Sequence, residues 1–180
     1  MKKKTTIINI AGGPGTGKTT VAAQLFSKLK EMGYEVENVS EFAKELVWEG
    51  RKEAFNDRLY MHSEQNHRLM QMNSKLDYII TDSPLFLTSV YNNYYLKDKF
   101  PKSYNNMIDI VSLETFNLYN NKVYLLNRDT KYKVIGRRES VKDAVEIDKD
   151  IKTYLIKNKI KYKEITLDNA IKEILKDIGE

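Results

Sequence analysis

Cysteine is absent, which excludes disulfides and thiolate metal centres and removes the usual clue to redox compartment. Histidine occurs only twice, as His62 and His67. Five residues apart, they do not share a helical face, so both read as packed or solvated side chains and not as ligands. No apolar run approaches the roughly 20 residues needed to span a bilayer. The start Met1-Lys2-Lys3-Lys4 resembles the basic region of a signal sequence, but the apolar run behind it is short. A soluble, cytoplasmic protein with no membrane partner is expected. No internal repeat and no dedicated DNA-reading motif is present. With 180 residues, the chain suits one α/β domain over 1–180. The 30 basic and 25 acidic residues are interspersed and leave a net charge of +5, a mild bias towards anionic partners that nucleotide phosphates would satisfy.

Against those absences one stretch stands out: Gly12-Gly13-Pro14-Gly15-Thr16-Gly17-Lys18-Thr19, which fits G-x-x-x-x-G-K-[ST] at every fixed position. It lies between the apolar run Ile7-Ile8-Asn9-Ile10-Ala11 and a helical pattern starting near Lys18. Glycines let backbone N–H groups turn inward around an oxyanion, and the following helix presents the positive end of its dipole to the same phosphates. Lys18 adds a point charge for the β- and γ-phosphates. Thr19, followed by Thr20, offers a hydroxyl to Mg²⁺, which takes oxygen ligands beside substrate phosphates.

The rest of the chain alternates strands with helices. Thr5–Ala11 reads as a buried strand, and a helix carrying Val21, Leu25, Leu29 and Met32 ends at Gly33. Tyr34–Val39 reads as a second strand, with Ser40 as N-cap of a helix over Glu41–Trp48. Glu41 then lies just past a strand's carboxyl end, where open α/β sheets bind ligands. It is either a first-turn acid that complements the helix dipole or a base facing an acceptor hydroxyl. Trp48, two turns on, is either core or a stacking surface near the acceptor. Asn56–Leu76 reads as a long, partly exposed helix on which Arg58, Gln65 and Arg68 are candidates to line an acceptor pocket. Tyr78-Ile79-Ile80-Thr81-Asp82 is an apolar strand ending in a carboxylate, the pattern that holds Mg²⁺ through its water shell. An apolar, aromatic stretch runs from Leu85 to Tyr95, a surface loop from Lys97 to Ser103 and a helix from Tyr104 to Tyr119. Asn120-Asn121 punctuates the chain before a strand over Lys122–Leu126. The basic segment from Asn127 to Ser140 reads as a mobile lid over the phosphates. A helix from Val141, a strand over Lys161–Leu167 and a closing helix complete a three-layer sandwich with a mainly parallel five-stranded sheet.

On these residues the sequence resembles the P-loop kinases of nucleosides and nucleotides. It is most similar to the small group like the ribosylnicotinamide kinase domain, common in phages and often labelled AAA-like ATPases. The likeness rests on Gly12 to Thr19, Ser40-Glu41-Phe42-Ala43, Asp82-Ser83-Pro84 and Tyr132…Gly136-Arg137. It implies phosphoryl transfer from ATP, with Mg²⁺, to a hydroxyl or phosphate acceptor. Lys18 and Thr19 would bind phosphates and metal, Asp82 the metal or the acceptor's proton, and Glu41 or Asp82 would be the base. Arg137 would close on the transferring group, with Arg138 beside it. Many relatives carry an arginine where this chain has Ser83, so the acceptor does not follow from the likeness. A small nucleoside or nucleotide acceptor is expected in the cytoplasm, the host's if a phage encodes the chain, and a homodimer is compatible with it. Two alternatives stay open. One is a kinase of a hydroxyl on a polynucleotide or modified DNA base, the other an ATP-binding switch without a small acceptor. No Asn/Thr-Lys-x-Asp stretch sits at a late strand to read guanine, which favours ATP as donor.

Overall fold

In β1 (Thr6–Ala11), Ile7 turns to one side of the strand and Ile8 and Ile10 to the other, and all three are fully buried. A strand with no wet face needs a layer on each side, and each buried isoleucine contributes about 1.5–3 kcal/mol to holding one there. The computed structural model describes residues 4–128 and 140–179 and contains both layers. Strands β1, β2 (Val36–Val39), β3 (Tyr78–Thr81), β4 (Asn120–Leu126) and β5 (Lys163–Ile165) lie in the order β2-β3-β1-β4-β5. Every pairing is parallel. On one face α1 (Lys18–Glu31) and α7 (Ala170–Ile178) pack Val21, Leu25, Leu29 and Ile174 against Ile8, Ile10, Ile80 and Tyr124. On the other, α3 (Arg58–Met72), α4 (Leu87–Tyr95), α5 (Lys102–Asn117) and α6 (Val141–Lys157) bring Leu69, Val90, Phe116 and Ile147 against Ile7, Ile79, Val123 and Leu125. The short α2 (Phe42–Trp48) buries Phe42 and Leu46 beside α3. This is the parallel, three-layer arrangement that the strand-helix alternation predicts. None of the described helices is long and apolar enough to cross a membrane.

Boundaries differ where a side chain overrides the pattern. The helix expected over Asn56–Leu76 is preceded by a 3₁₀ turn at Lys52–Asn56 and begins at Arg58, because Asp57 accepts the Tyr60 N–H at 3.0 Å and caps it. It ends at Met72, and Ser74 follows in the left-handed region at φ 67. Pro101 presets the extended entry to α5, so that helix starts inside the stretch expected to be loop. Asn120 and Asn121, expected as punctuation, open β4. The Asn121 amide donates to the Phe116 and Tyr119 carbonyls at 2.5 and 3.1 Å, closing α5 while its backbone pairs with β1. Ser40 does not cap α2: Glu41 occupies the N-cap position, and the Ser40 hydroxyl lies 3.5 Å from Glu45. Gly33 ends α1 in the left-handed conformation as expected, at φ 88.

A parallel sheet puts all its carboxyl ends on one edge. That edge therefore collects the chain after β1, β2, β3 and β4: Gly12 onward, Ser40-Glu41, Asp82-Ser83 and Asn127-Arg128.

Candidate active site

The loop after β1 is shaped by its own polar atoms. Thr16, fully buried, donates its hydroxyl to the Gly13 carbonyl at 3.1 Å, and the Lys18 ammonium donates to the same oxygen at 3.0 Å. Gly12, Gly15 and Gly17 take positive φ of 151, 83 and 101. At Gly17 the α1 N-terminus begins with no side-chain cap, and a helix start presents N–H groups and a positive dipole end that favour an anion. Pro14, Gly15 and Lys18 are half-buried, and Thr19 and Thr20 are exposed at the start of α1.

Asp82 leaves β3 opposite this loop. The Thr19 hydroxyl donates to its Oδ2 at 2.6 Å, joining residues 63 positions apart. Asp82 is only 6% exposed, and its other oxygen, Oδ1, is buried without a hydrogen-bond partner. A buried, unmatched carboxylate oxygen beside a hydroxyl is a donor set for a hard divalent cation with oxygen ligands. Among the described residues no cluster of three or more His, Asp or Glu offers an all-protein metal cage. Mg²⁺ would thus rest on these two residues, phosphates and water.

Glu41, half-buried, leaves β2 on the same edge. Gln65 of α3 holds the peptide groups that flank it: its Oε1 accepts the Phe42 N–H at 3.0 Å and its amide donates to the Ser40 carbonyl at 3.3 Å. The same amide reaches Thr81 Oγ1 at 3.5 Å, next to Asp82, so one buried glutamine links the strand ends that carry both acidic candidates. Its polar atoms thus anchor the chain on both sides of Glu41 and the Thr81 hydroxyl. Arg68 likewise has a partner: both its terminal nitrogens reach Glu45 at 2.6 Å, and its guanidinium lies 4.9 Å from the Phe42 ring centre. That bidentate contact holds the Glu45 carboxyl below its ordinary range. Arg58 is 5% exposed at the first turn of α3, with Nη1 3.7 Å from Met61 Sδ. Trp48 is neither core nor enclosed; it ends α2 at 79% exposure. An open concavity of about 480 Å³ between α2 and α3 is lined by Arg51, Glu53, Ala54, Asp57 and Tyr60, none of them on the strand edge.

Two residues escaped sequence reasoning. Arg128, inside the stretch read as a lid, donates to the Pro14 carbonyl at 2.8 Å and to Asp148 at 2.7 Å, while Asp148 accepts the Gly13 N–H at 2.7 Å. Asn127 is also fixed, its N–H donating to the Ile165 carbonyl at 2.8 Å. Ser140, expected as the lid's other end, caps α6 reciprocally with Asp143, a Ser-x-x-Asp signal readable in the sequence. Arg137, Arg138, Tyr132 and Gly136 lie outside the described residues.

A family model described as an AAA domain matches residues 7–171. The chain belongs to that family. Its fold is that of the P-loop nucleoside and nucleotide kinases. It superposes on a NadR protein solved in complex with NR with a TM-score of 0.73 at 17% identity, covering 99% of this chain and 52% of that one. The chain thus spans about half the length of NadR. A thymidylate kinase from Ehrlichia chaffeensis matches with a TM-score of 0.65 at 15% identity, covering 97% of this chain and 99% of that one. A deoxyadenosine kinase from M. mycoides matches with 0.61 at 17% identity, covering 96% and 98%. No curated protein sequence matches the chain.

Proposed function

We propose that the chain transfers the terminal phosphoryl group of ATP to a nucleoside, a nucleotide or a related ribosyl compound. The observation that carries this reading is the 2.6 Å contact between Thr19 and Asp82, which joins the phosphate loop to the β3 carboxylate on the edge where Glu41 also emerges. Such transfer needs little covalent chemistry from a protein; it needs the donor positioned and its charge neutralised. Gly12 to Thr16, Gly17 and the α1 N-terminus cradle the phosphates, Thr20 adds a hydroxyl, and Lys18 leaves the Gly13 carbonyl for a phosphate oxygen. Mg²⁺, when bound, neutralises charge on the phosphates, and Thr19 and Asp82 would hold it. With Asp82 directed to Thr19, Glu41 is the base that takes the acceptor's proton. Arg137 and Arg138 remain assigned to the transferring phosphoryl group and the nucleotide. Arg58 and Trp48 are assigned to the acceptor's surroundings, with Gln65 and Arg68 shaping them from α3.

The test is incubation with Mg·ATP and a panel of nucleosides, nucleoside monophosphates, NR and DNA oligonucleotides, with phosphate transfer followed by mass. A phosphorylated small acceptor supports the proposal. A phosphorylated oligonucleotide moves the acceptor to a polynucleotide. ATP hydrolysis indifferent to every acceptor, but stimulated by another protein, would replace transfer by a switch.

A further inference from the structure

The phosphate loop is gripped from the α6 side by two charged residues to which phosphoryl transfer gives no part. Arg128, two residues past β4, donates from Nε to Asp148 Oδ2 at 2.7 Å. Its Nη2 reaches the Pro14 carbonyl at 2.8 Å and the Ala144 carbonyl at 3.3 Å. Asp148, on α6, uses its other oxygen to accept the Gly13 N–H at 2.7 Å. The pair is 15% and 25% exposed, shielded enough for its hydrogen bonds to fix geometry. Gly13 is glycine because α6 is this close: a Cβ there would sit 2.5 Å from Asp148 Oδ1 and 2.9 Å from the Ala144 carbonyl. Since Thr16 and Lys18 hold the Gly13 carbonyl, the first turn of the loop is tied through its amide, through its carbonyl and through the next carbonyl.

We propose that Arg128 and Asp148 are positioning residues that hold the phosphate loop in its nucleotide-accepting shape before the donor arrives. The inference rests on the ATP reading above. A loop held in advance pays no ordering entropy when phosphates bind. Without the pair, apparent affinity falls by the fraction of molecules whose loop is competent.

The test measures the dissociation constant of Mg·AMP-PNP by calorimetry, and the unliganded melting temperature, for wild type, Arg128→Lys, Arg128→Ala and Asp148→Asn. Arg128→Lys keeps a charge for Asp148 but lacks the planar fork that reaches Asp148 and Pro14 together. Asp148→Asn keeps the size and turns an N–H₂ towards either Arg128 or Gly13, which are both donors. The expected result is about tenfold weaker AMP-PNP binding in each variant, the effect of one competent loop in ten. Arg128→Lys should lose that affinity while its melting temperature stays within about 4 °C of wild type, a separation that a purely structural ion pair would not give. Wild-type affinity in folded Arg128→Lys and Asp148→Asn proteins overturns the proposal, and so does affinity loss that tracks melting temperature in every variant. If wild type itself does not bind Mg·AMP-PNP, the ATP reading fails with it; if wild type binds and the variants match it, only the positioning role fails.

Discussion

In the phosphate loop, the Gly13 peptide is held by Thr16, Lys18 and Asp148, and Pro14 by Arg128. Across the same sheet edge, Glu41 is placed by Gln65, whose amide grips the peptide groups on either side, at the start of a helix only seven residues long. The donor end is thus a short motif braced against α6. The end proposed to meet the acceptor is assembled by α2, the 3₁₀ turn and α3, around Phe42, Tyr60 and the Arg68–Glu45 pair. A phosphate chain is one shape, so its cradle can be local and rigid. Acceptors differ in shape, and the elements that would meet them are short, joined by a 3₁₀ turn and partly exposed, which is where specificity can vary without disturbing the donor.

The largest effect is expected from Lys18→Ala, which removes the charge proposed for the transferring phosphates and should lower turnover by about 10²–10³-fold, or about 3 kcal/mol. Its melting temperature should stay close to wild type, because the half-buried Lys18 belongs to neither apolar cluster. Near-normal turnover by a folded Lys18→Ala protein would sink the kinase reading. Glu41→Gln sharpens the other end: it keeps shape and polarity but cannot take a proton, so transfer should fall steeply while AMP-PNP affinity holds. Should it turn over normally, Asp82 becomes the base.

Gln65→Ala probes the acceptor end without touching a proposed reacting group. It leaves the Phe42 N–H without its acceptor, a loss of about 1–3 kcal/mol. Thermal melts should register that loss, and turnover should fall by about tenfold as Glu41 loses its fixed peptide frame. AMP-PNP affinity should not change. A parallel loss of nucleotide binding would mean that the two ends are not separately built.

The same contrast explains what was legible in the sequence. Gly12 to Thr19 and Asp82 are local signals, a motif and a strand end, and chain order alone puts them on one edge. The five strands follow from the alternation of strand and helix patterns along the chain. Gln65 and Arg68 are visible as polar residues on a helix, but their partners Ser40, Phe42 and Glu45 lie 23 to 25 positions away, and nothing in a period of 3.6 names them. Arg128 and Asp148 are further still from Gly13 in sequence, and only the packing of α6 on the loop unites them. For Trp48 the sequence leaves core and stacking surface both open, and only the structure shows it exposed, because on α2 the inward positions belong to Phe42 and Leu46.

A smaller effect should come from pH, through His62. It is buried between Thr88 and Thr115, with Nδ1 3.1 Å and Nε2 2.8 Å from their hydroxyls, and it joins α3 to α4 and α5. Thr115 gives its own proton to the Val111 carbonyl at 2.6 Å, so Nε2–H donates to Thr115 and Nδ1 accepts from Thr88, which is the neutral ring. Burial lowers the His62 pKa from its ordinary 6.5. The unfolded chain therefore takes up a proton first as pH falls, and His62 contributes stability that is full above about 6.5 and is lost below it. The loss is at most about 1.4 kcal/mol per pH unit. Melting curves from pH 8 to 5 should decline below about 6.5, and His62→Gln should flatten that part of the profile. An unchanged slope in His62→Gln would assign the decline to other groups.

The smallest effect on stability, and the finest probe of where the acceptor end stops, is expected at Trp48. At 79% exposure it packs little, so Trp48→Ala should change stability by less than about 0.5 kcal/mol. As the sole tryptophan it is also an unlabelled reporter for the last turn of α2. Its emission should be that of a hydrated indole, and a ligand that covers it can move the emission only to the blue. Mg·AMP-PNP alone should leave it unmoved, since the phosphate loop follows β1 and α2 follows β2, with β3 between them in the sheet. Addition of a true acceptor to the AMP-PNP complex should shift it, because closing over the acceptor dries the neighbouring surface. Glu41→Gln should preserve that shift while suppressing transfer, separating acceptor binding from proton abstraction. A silent Trp48 in the presence of a verified acceptor would confine the acceptor to Glu41 and the first turn of α3. A shift with AMP-PNP alone would show that the two ends move together and are not independent.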